Sequence, residues 1–430
     1  MKLREEKGIT LIALVVTIIV LIILAGVSIN LVFGNLGIVT KAKEAKRTQE
    51  QAELNEQIAL GELSNEMDKE INGKGTQTQI KTVEELKNSG TYTTAPTTIK
   101  DSNGNLIKVP QGFKVAEDSG KNVTEGVVIE DNDIIKGIGN NRGNQYVWVP
   151  VGTGIKKADG TKMDITLGRY TFADGTNDKD TNGTVLIKGA PILKQNAENY
   201  TQEVLINLYY KELAIYRQGV TDSGLDGLNT TSRGKQKQDG TYEGIKSFID
   251  SVKENGGYYI ARYEASYGTD GKANSKVSNT YTNSSTEPTT RKEGMLWNYI
   301  NQIDAAIACY DIYTTATTDL INSYAWDTAI VYIQNFSKDT DYSYQDGQSI
   351  KSSLTNTGVN KDEKCKINDM ASNDLEWSTE YSSYVDNLNK SPCSGRGGRY
   401  YNSDNYTSYR YYSYATSRYK SLTFRSILYM

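Results

Sequence analysis

Apolar residues are spread unevenly along this chain. A short charged leader, Met1 to Gly8, is followed by an apolar run from Ile9 to about Val27. That run is long enough to cross a bilayer as a helix, and residues 9–33 are predicted to do so. Ala, Glu, Gln, Lys and Leu then dominate up to Ile71, all good helix formers. Leu54, Ile58 and Leu63 recur at roughly helical spacing, so one long helix is expected over residues 9–71.

Residues 72–104 are polar and rich in Gly, Thr and Asn, which reads as a linker with one short helix around Val83 to Asn88. Regular patterning resumes at "LIKVPQGFKVAEDSG" and "EGVVIEDNDI", and "NQYVWVPVG" (Asn144 to Gly152) alternates like a half-buried strand. A long irregular insert follows to about residue 240, with a helix expected at "AENYTQEVLINLYYKELAIYRQG". "YEGIKSFIDSVKENGGYYIARYEAS" reads as helix, Gly-Gly stop and strand. "LWNYINQIDAAIACYDIYTT" and "NSYAWDTAIVYIQNFS" carry helical periodicity. Beyond residue 351 turn formers surround isolated apolar anchors such as Met370, Leu375 and Trp377, the pattern of a loop-rich region. No period of 20–50 residues recurs, which excludes a solenoid.

Composition narrows the chemistry. There is no histidine, so imidazole bases, His-ligated metals and Ser-His or Cys-His pairs are excluded. The three cysteines, Cys309, Cys365 and Cys393, form no CxxC motif; a Cys365–Cys393 disulfide and free, half-buried thiols both fit this spacing. The net charge of −4 gives no reason to expect nucleic acid as a partner. Tyrosine is the anomaly, at 31 residues against 6 Phe and 4 Trp. Tyr in excess suits places where one end of an aromatic ring stays wet.

Gly8, Ile9, Thr10, Leu11 and Ile12 before the apolar run resemble a type IV prepilin N-terminus. That resemblance implies cleavage after Gly8 and an N-methylated Ile9. The family's Glu at the fifth mature position is Ala13 here, which fits a minor or tip subunit or a simple anchor better than a fibre-forming pilin. A plain signal-anchor helix is the competing reading. Either way residues beyond the anchor are expected outside the cell, on a single-pass membrane protein or within a pilus.

The stretches "YVWVPVG", "GGYYIARYEAS", "YAWDTAIVYI", "INDMASNDLEWS", "SGRGGRYY" and "TFRSILY", in that order, resemble the formylglycine-generating enzyme family, a variant of the C-type lectin fold. The expected fold class is therefore α+β: a long N-terminal transmembrane or pilin helix, then a loop-rich lectin-like domain over residues 105–430. The active cysteines of that family would fall near Asn402 and Tyr406 to Thr407, where no cysteine stands, so no enzyme activity is expected. A divergent oxidase of that type is the enzymatic alternative. The family's calcium motif falls on "DMASNDLEW", which implies ligation by the carboxylates of Asp369 and Glu376 and the backbone carbonyls of Ser372 and Asp374. The same residues read equally as a turn cap at Asp369 and an Arg partner for Glu376.

Between the "SGRGG" and "LTFRSILYM" islands lies the chain's oddest segment. Tyr400 to Tyr419 holds eight Tyr, four Ser, two Asn, two Thr and one Asp, with Arg410, Ala415 and Arg418 completing it. Rigid phenols interleaved with adaptable hydrogen-bonding residues make the composition of a binding paratope. The segment resembles the variable region of the proteins of diversity-generating retroelements, which share the lectin-type fold and vary just after a glycine-rich motif. Substitution at template adenines turns an Asn codon into Tyr, Ser, Asp, Thr or Asn, among others, and those five types fill seventeen of the twenty positions. Arg410 and Arg418 then read as scaffold, paired to Asp or Glu. The binding segment is expected within residues 396–425, with Tyr400, Tyr401, Asn402, Asp404, Asn405, Tyr406, Tyr409, Tyr411, Tyr412 and Tyr414 touching a protein or glycan ligand. Trp377 is expected beneath them, and Leu422, Phe424, Ile427 and Leu428 in the core. A minor pilin capping a fibre, with other pilins as partners, is the structural alternative.

Overall fold

A computed structural model describes residues 80–132, 143–168, 170–172, 190–191, 210–212, 245–310, 312–313, 315–350, 352–359, 362–382, 393–402, 406–414 and 416–430. All of them belong to one compact unit, Ile80–Met430. The cleavage site at Gly8 and Ile9, the predicted span 9–33 and the remainder of the predicted helix 9–71 lie outside the described residues. Among the described residues no helix is long and apolar enough to cross a membrane.

The unit is a mixed α+β structure with more sheet than helix. It begins earlier than the linker expectation allows. Thr82 closes a capping box on helix α1 (Val83–Ser89): its Oγ1 accepts from the Glu85 amide at 3.1 Å and its amide donates to the Glu85 carboxylate at 2.6 Å. Strands β1 (Thr97–Lys100) and β2 (Leu106–Val109) form an antiparallel hairpin. Val83, Leu86, Ile99 and Ile107 all enter the main core, so residues 82–104 are part of the domain.

The principal sheet is antiparallel throughout and has six strands. They are β3 (Phe113–Val115), β4 (Val128–Asp131), β5 (Gln145–Pro150), β6 (Gly257–Ala261), β7 (Thr317–Leu320) and β12 (Ser426–Tyr429), in the order β7-β12-β6-β5-β4-β3. The last strand thus lies inside the sheet, with Leu428 paired to both Tyr259 and Thr318. Helix α2 (Ile245–Asn255) leads into β6 through Gly256 and Gly257, as its Gly-Gly stop predicts. Gly256 takes φ +72°, the left-handed cap. A Cβ on Gly257 would sit 2.4 Å from the Trp148 ring, so only glycine lets that indole lie against the strand. Phe248 on α2 meets Tyr258 and Tyr429 edge-on at 5.2 and 5.4 Å.

Two helices follow: α3 (Gln302–Cys309) and α4 (Ser323–Phe336). Helix α3 is shorter than its periodicity suggests. Asn301 caps it by accepting from the Asp304 amide at 2.8 Å, and the preceding residues pair elsewhere, the Trp297 amide with the Ala265 carbonyl and the Tyr299 amide with the Tyr419 carbonyl. Tyr210–Glu212, expected in a helix, form a strand instead. They pair with Glu380–Ser382, and the ladder bonds of a sheet edge outweigh the helical pattern.

The second sheet carries the site. Its central strand β8 (Leu375–Ser382) pairs antiparallel with β9 (Cys393–Arg396), and β9 pairs antiparallel with β10 (Arg410–Ser413). On its other side β8 pairs in parallel with β11 (Leu422–Phe424). Met370, Leu375, Trp377, Leu422, Phe424, Ile427 and Leu428 are all buried, as their apolar character predicts. Cys309 and Cys365 are buried and stand in no disulfide.

Candidate functional site, a tyrosine-rich face on a buried arginine frame

The frame starts from Asp327, one turn into α4 and fully buried. Its Oδ1 accepts from Arg396 Nη2 at 2.6 Å and its Oδ2 from Arg410 Nη2 at 2.5 Å. Arg396 and Arg410 face each other in the β9–β10 register, so one carboxylate joins both strands to the helix. Arg396 also donates from Nε to the Tyr409 carbonyl at 3.1 Å and lies over the Trp326 ring at 5.7 Å. Desolvating such charges is costly unless every partner is in place, which makes the set a registration device for the strand it holds. Gly397 completes it, at φ +91°: a Cβ there would stand 2.6 Å from the Met370 carbonyl oxygen.

Trp326 lies under the segment. Its Nε1 donates to the Thr407 carbonyl at 2.9 Å, and Arg425 as well as Arg396 stacks on its ring. Trp377, expected in that place, is buried within β8 beside Gly395 and donates to the Ile300 carbonyl at 2.8 Å. Sequence periodicity placed Trp326 in a helix but could not show which face met which loop. The segment is also joined to residues 342–346. Thr407 N donates to the Gln345 carbonyl at 3.1 Å, Ser408 Oγ to the Ser343 carbonyl at 2.8 Å, and Tyr406 stacks on Tyr344 with ring centroids 4.4 Å apart.

Upon that frame the predicted contact residues divide. Tyr401 and Tyr414 are each 44% exposed. Tyr406, Tyr409, Tyr411 and Asn402 are half-buried, and Tyr409 and Tyr411 rest on the core. Tyr400 is buried: its hydroxyl donates to Asn283 Oδ1 at 3.0 Å, and burial pushes its pKa up to about 12. It supports Tyr401, edge-on at 4.9 Å, rather than a ligand. Asp404, Asn405 and the side chain of Tyr412 lie outside the described residues. Thr407, Ser408 and Ser413, which share the Tyr/Ser/Asn alphabet, are buried. Arg418 pairs with Glu287 at 2.9 Å and Asp304 at 2.6 Å, as expected of a scaffold position.

Both carboxylates expected to bind calcium, those of Glu376 and Asp369, have protein partners. Both Glu376 carboxylate oxygens accept from Arg425, Oε2 at 2.5 Å from Nε and Oε1 from Nη2, and this pair is fully buried. The guanidinium thus stands where a cation would have to. Asp369 Oδ2 accepts from Thr357 Oγ1 at 2.8 Å and Gly358 N at 2.7 Å, holding a turn at φ +63°. The Ser372 hydroxyl donates to Asp362 at 3.1 Å, and the Asp374 amide to Glu264 at 3.3 Å. Among the described residues no three acidic or thiol side chains gather as metal ligands. Turn cap and ion pair, the other reading of these positions, is the one the geometry matches.

Comparison with protein-family models, with curated proteins and with solved structures returns no match. A cleft of about 430 Å³, lined by Thr98, Lys108, Asn255, Tyr310 and Thr317 among others, shares no residue with the tyrosine-rich face. Burial pushes the Cys365 thiol up to about 12, so it is no ready nucleophile.

Proposed function

We propose that this chain is a surface-displayed binding protein whose tyrosine-rich face is diversified by a retroelement. In this reading Gly8 and Ile9 mark a prepilin-type processing site, residues 9–33 anchor the chain in the membrane or a pilus, and a lectin-like domain of the formylglycine-generating type carries the face outward. The domain binds and performs no chemistry. One observation carries the reading: the non-alphabet residue Arg410 is buried and paired with Asp327, while Tyr401 and Tyr414 of the same segment stand exposed. Fixed frame and changeable surface alternate within twenty residues, Tyr400 to Tyr419.

The test is a survey of the locus in related isolates. A neighbouring reverse transcriptase gene and a near-copy of the last codons, differing at adenines, are expected. Variation should fall on Tyr401, Asn402, Tyr406, Tyr411 and Tyr414 and spare Arg396, Arg410 and Arg425. A locus without these elements, or variation that strikes the arginine frame equally, would overturn diversification.

A further inference from the structure

Arg399 stands at the mouth of the tyrosine-rich segment. Resting on the reading of this face as a binding surface, we infer that Arg399, as clamped in this sequence, is its anchor for a carboxylate, and that the partner is an acidic polypeptide. The guanidinium is held between two of the face's own phenols, 5.2 Å from the centroid of Tyr401 and 4.8 Å from that of Tyr411. The guanidinium thus lies over two rings, and its Nη2 carries no hydrogen bond among the described residues. Nη1 donates to the Tyr401 hydroxyl at 2.7 Å in a solvent-exposed bond, and that hydroxyl donates on to Ser421 Oγ at 3.1 Å. The Tyr401 ring is thus fixed over the cation before any ligand arrives.

The backbone beneath is equally constrained. Gly347 approaches so closely that a Cβ there would lie 2.7 Å from both the Arg399 nitrogen and its carbonyl oxygen. Arg399 also bridges to Asn402. Tyr411 faces Gly395 across the β9–β10 ladder.

Charge pairing sets this residue apart. The other six described arginines, Arg262, Arg291, Arg396, Arg410, Arg418 and Arg425, each meet an Asp or Glu. Arg399 meets none among the described residues, and its Nε is buried there without a hydrogen-bond partner. A preorganised, half-buried guanidinium lacking an anion matches a carboxylate in geometry and in charge. A polypeptide source is favoured over an acidic glycan because the Tyr, Ser and Asn composition of the segment is that of a protein-binding paratope.

The full-length chain in detergent micelles, immobilised on a sensor, is exposed to poly-L-glutamate, polygalacturonate and poly-L-serine. The chain's own charge of −4 opposes non-specific capture of a polyanion. Poly-L-glutamate is expected to bind, with affinity falling at high salt. Arg399→Gln should weaken it at least tenfold, Arg399→Lys should retain part of it, and the distant Lys121→Gln should leave it unchanged. Melting temperatures of the variants guard against misfolding. Tighter binding of polygalacturonate would overturn the polypeptide source. Failure of all polyanions, or equal binding by Arg399→Gln, would overturn the carboxylate anchor. The locus survey is independent of both, so adenine-restricted variation beside a failed polyanion assay would sink only the anchor.

Discussion

Asp327 has no solvent around it and two guanidinium groups against it. Asp327→Asn removes the carboxylate that Arg396 and Arg410 share, which should cost about 3–5 kcal/mol. Urea unfolding monitored by near-UV circular dichroism measures that loss. A second buried carboxyl gives a pH signature. Burial, reinforced by the neighbouring Asp369, pushes Asp362 up to about 7 from the ordinary carboxyl value near 4. Between those values the folded chain holds a proton that the unfolded chain has lost. This group's contribution is therefore full below about pH 4 and is lost as pH rises toward 7, at up to about 1.4 kcal/mol per pH unit. Unfolding free energies of the wild type and Asp362→Asn at pH 5, 6 and 7 should show a difference in slope. Parallel curves would refute the assignment. Neither effect is legible in the sequence, because Asp362 and Asp327 look like ordinary acids until the surrounding atoms are placed.

Element boundaries were legible wherever capping and turn chemistry are local. The Gly-Gly stop after α2 and the alternation of "NQYVWVPVG" predict the helix end and strand observed. The strand at Tyr210–Glu212 was not legible, since its pairing partner lies about 170 residues away in sequence. Two substitutions test elements directly. Gly397→Ala forces a Cβ against the Met370 carbonyl at φ +91°. It should destabilise by more than about 1 kcal/mol and loosen the β9–β10 face, read as faster amide exchange in residues 406–413. Thr82→Ala removes the capping box of α1 and should cost about 1 kcal/mol. An unchanged melting temperature would mean that the capping box adds nothing to the domain's stability.

For the molecule as a whole, the compact unit Ile80–Met430 should be self-sufficient. Released by proteolysis ahead of residue 80, it is expected to melt in one cooperative transition. Two separated transitions would show that the two sheets fold independently. The closing strands argue against that. β11 pairs with β8 in the second sheet, and β12, two residues later, pairs inside the first. Arg425 between them bonds to Glu376 of β8 and to the Ala261 carbonyl of β6.

The sequence by itself determined the kinds of chemistry within reach: no imidazole, no thiolate pair, and a tyrosine-rich segment between two anchoring islands. It also placed α2, α4 and the strands β5 and β6, because propensity, capping and apolar spacing act over a few residues. Only tertiary structure decided what each charge does. It gave Glu376 to Arg425 rather than to calcium, buried Tyr400 while exposing Tyr401, and put Trp326 beneath the face. It also left Arg399 between two phenols with no described acid beside it. Ion pairing and burial depend on groups far apart along the chain, and single residue types carry no mark of the partner that folding will bring to them.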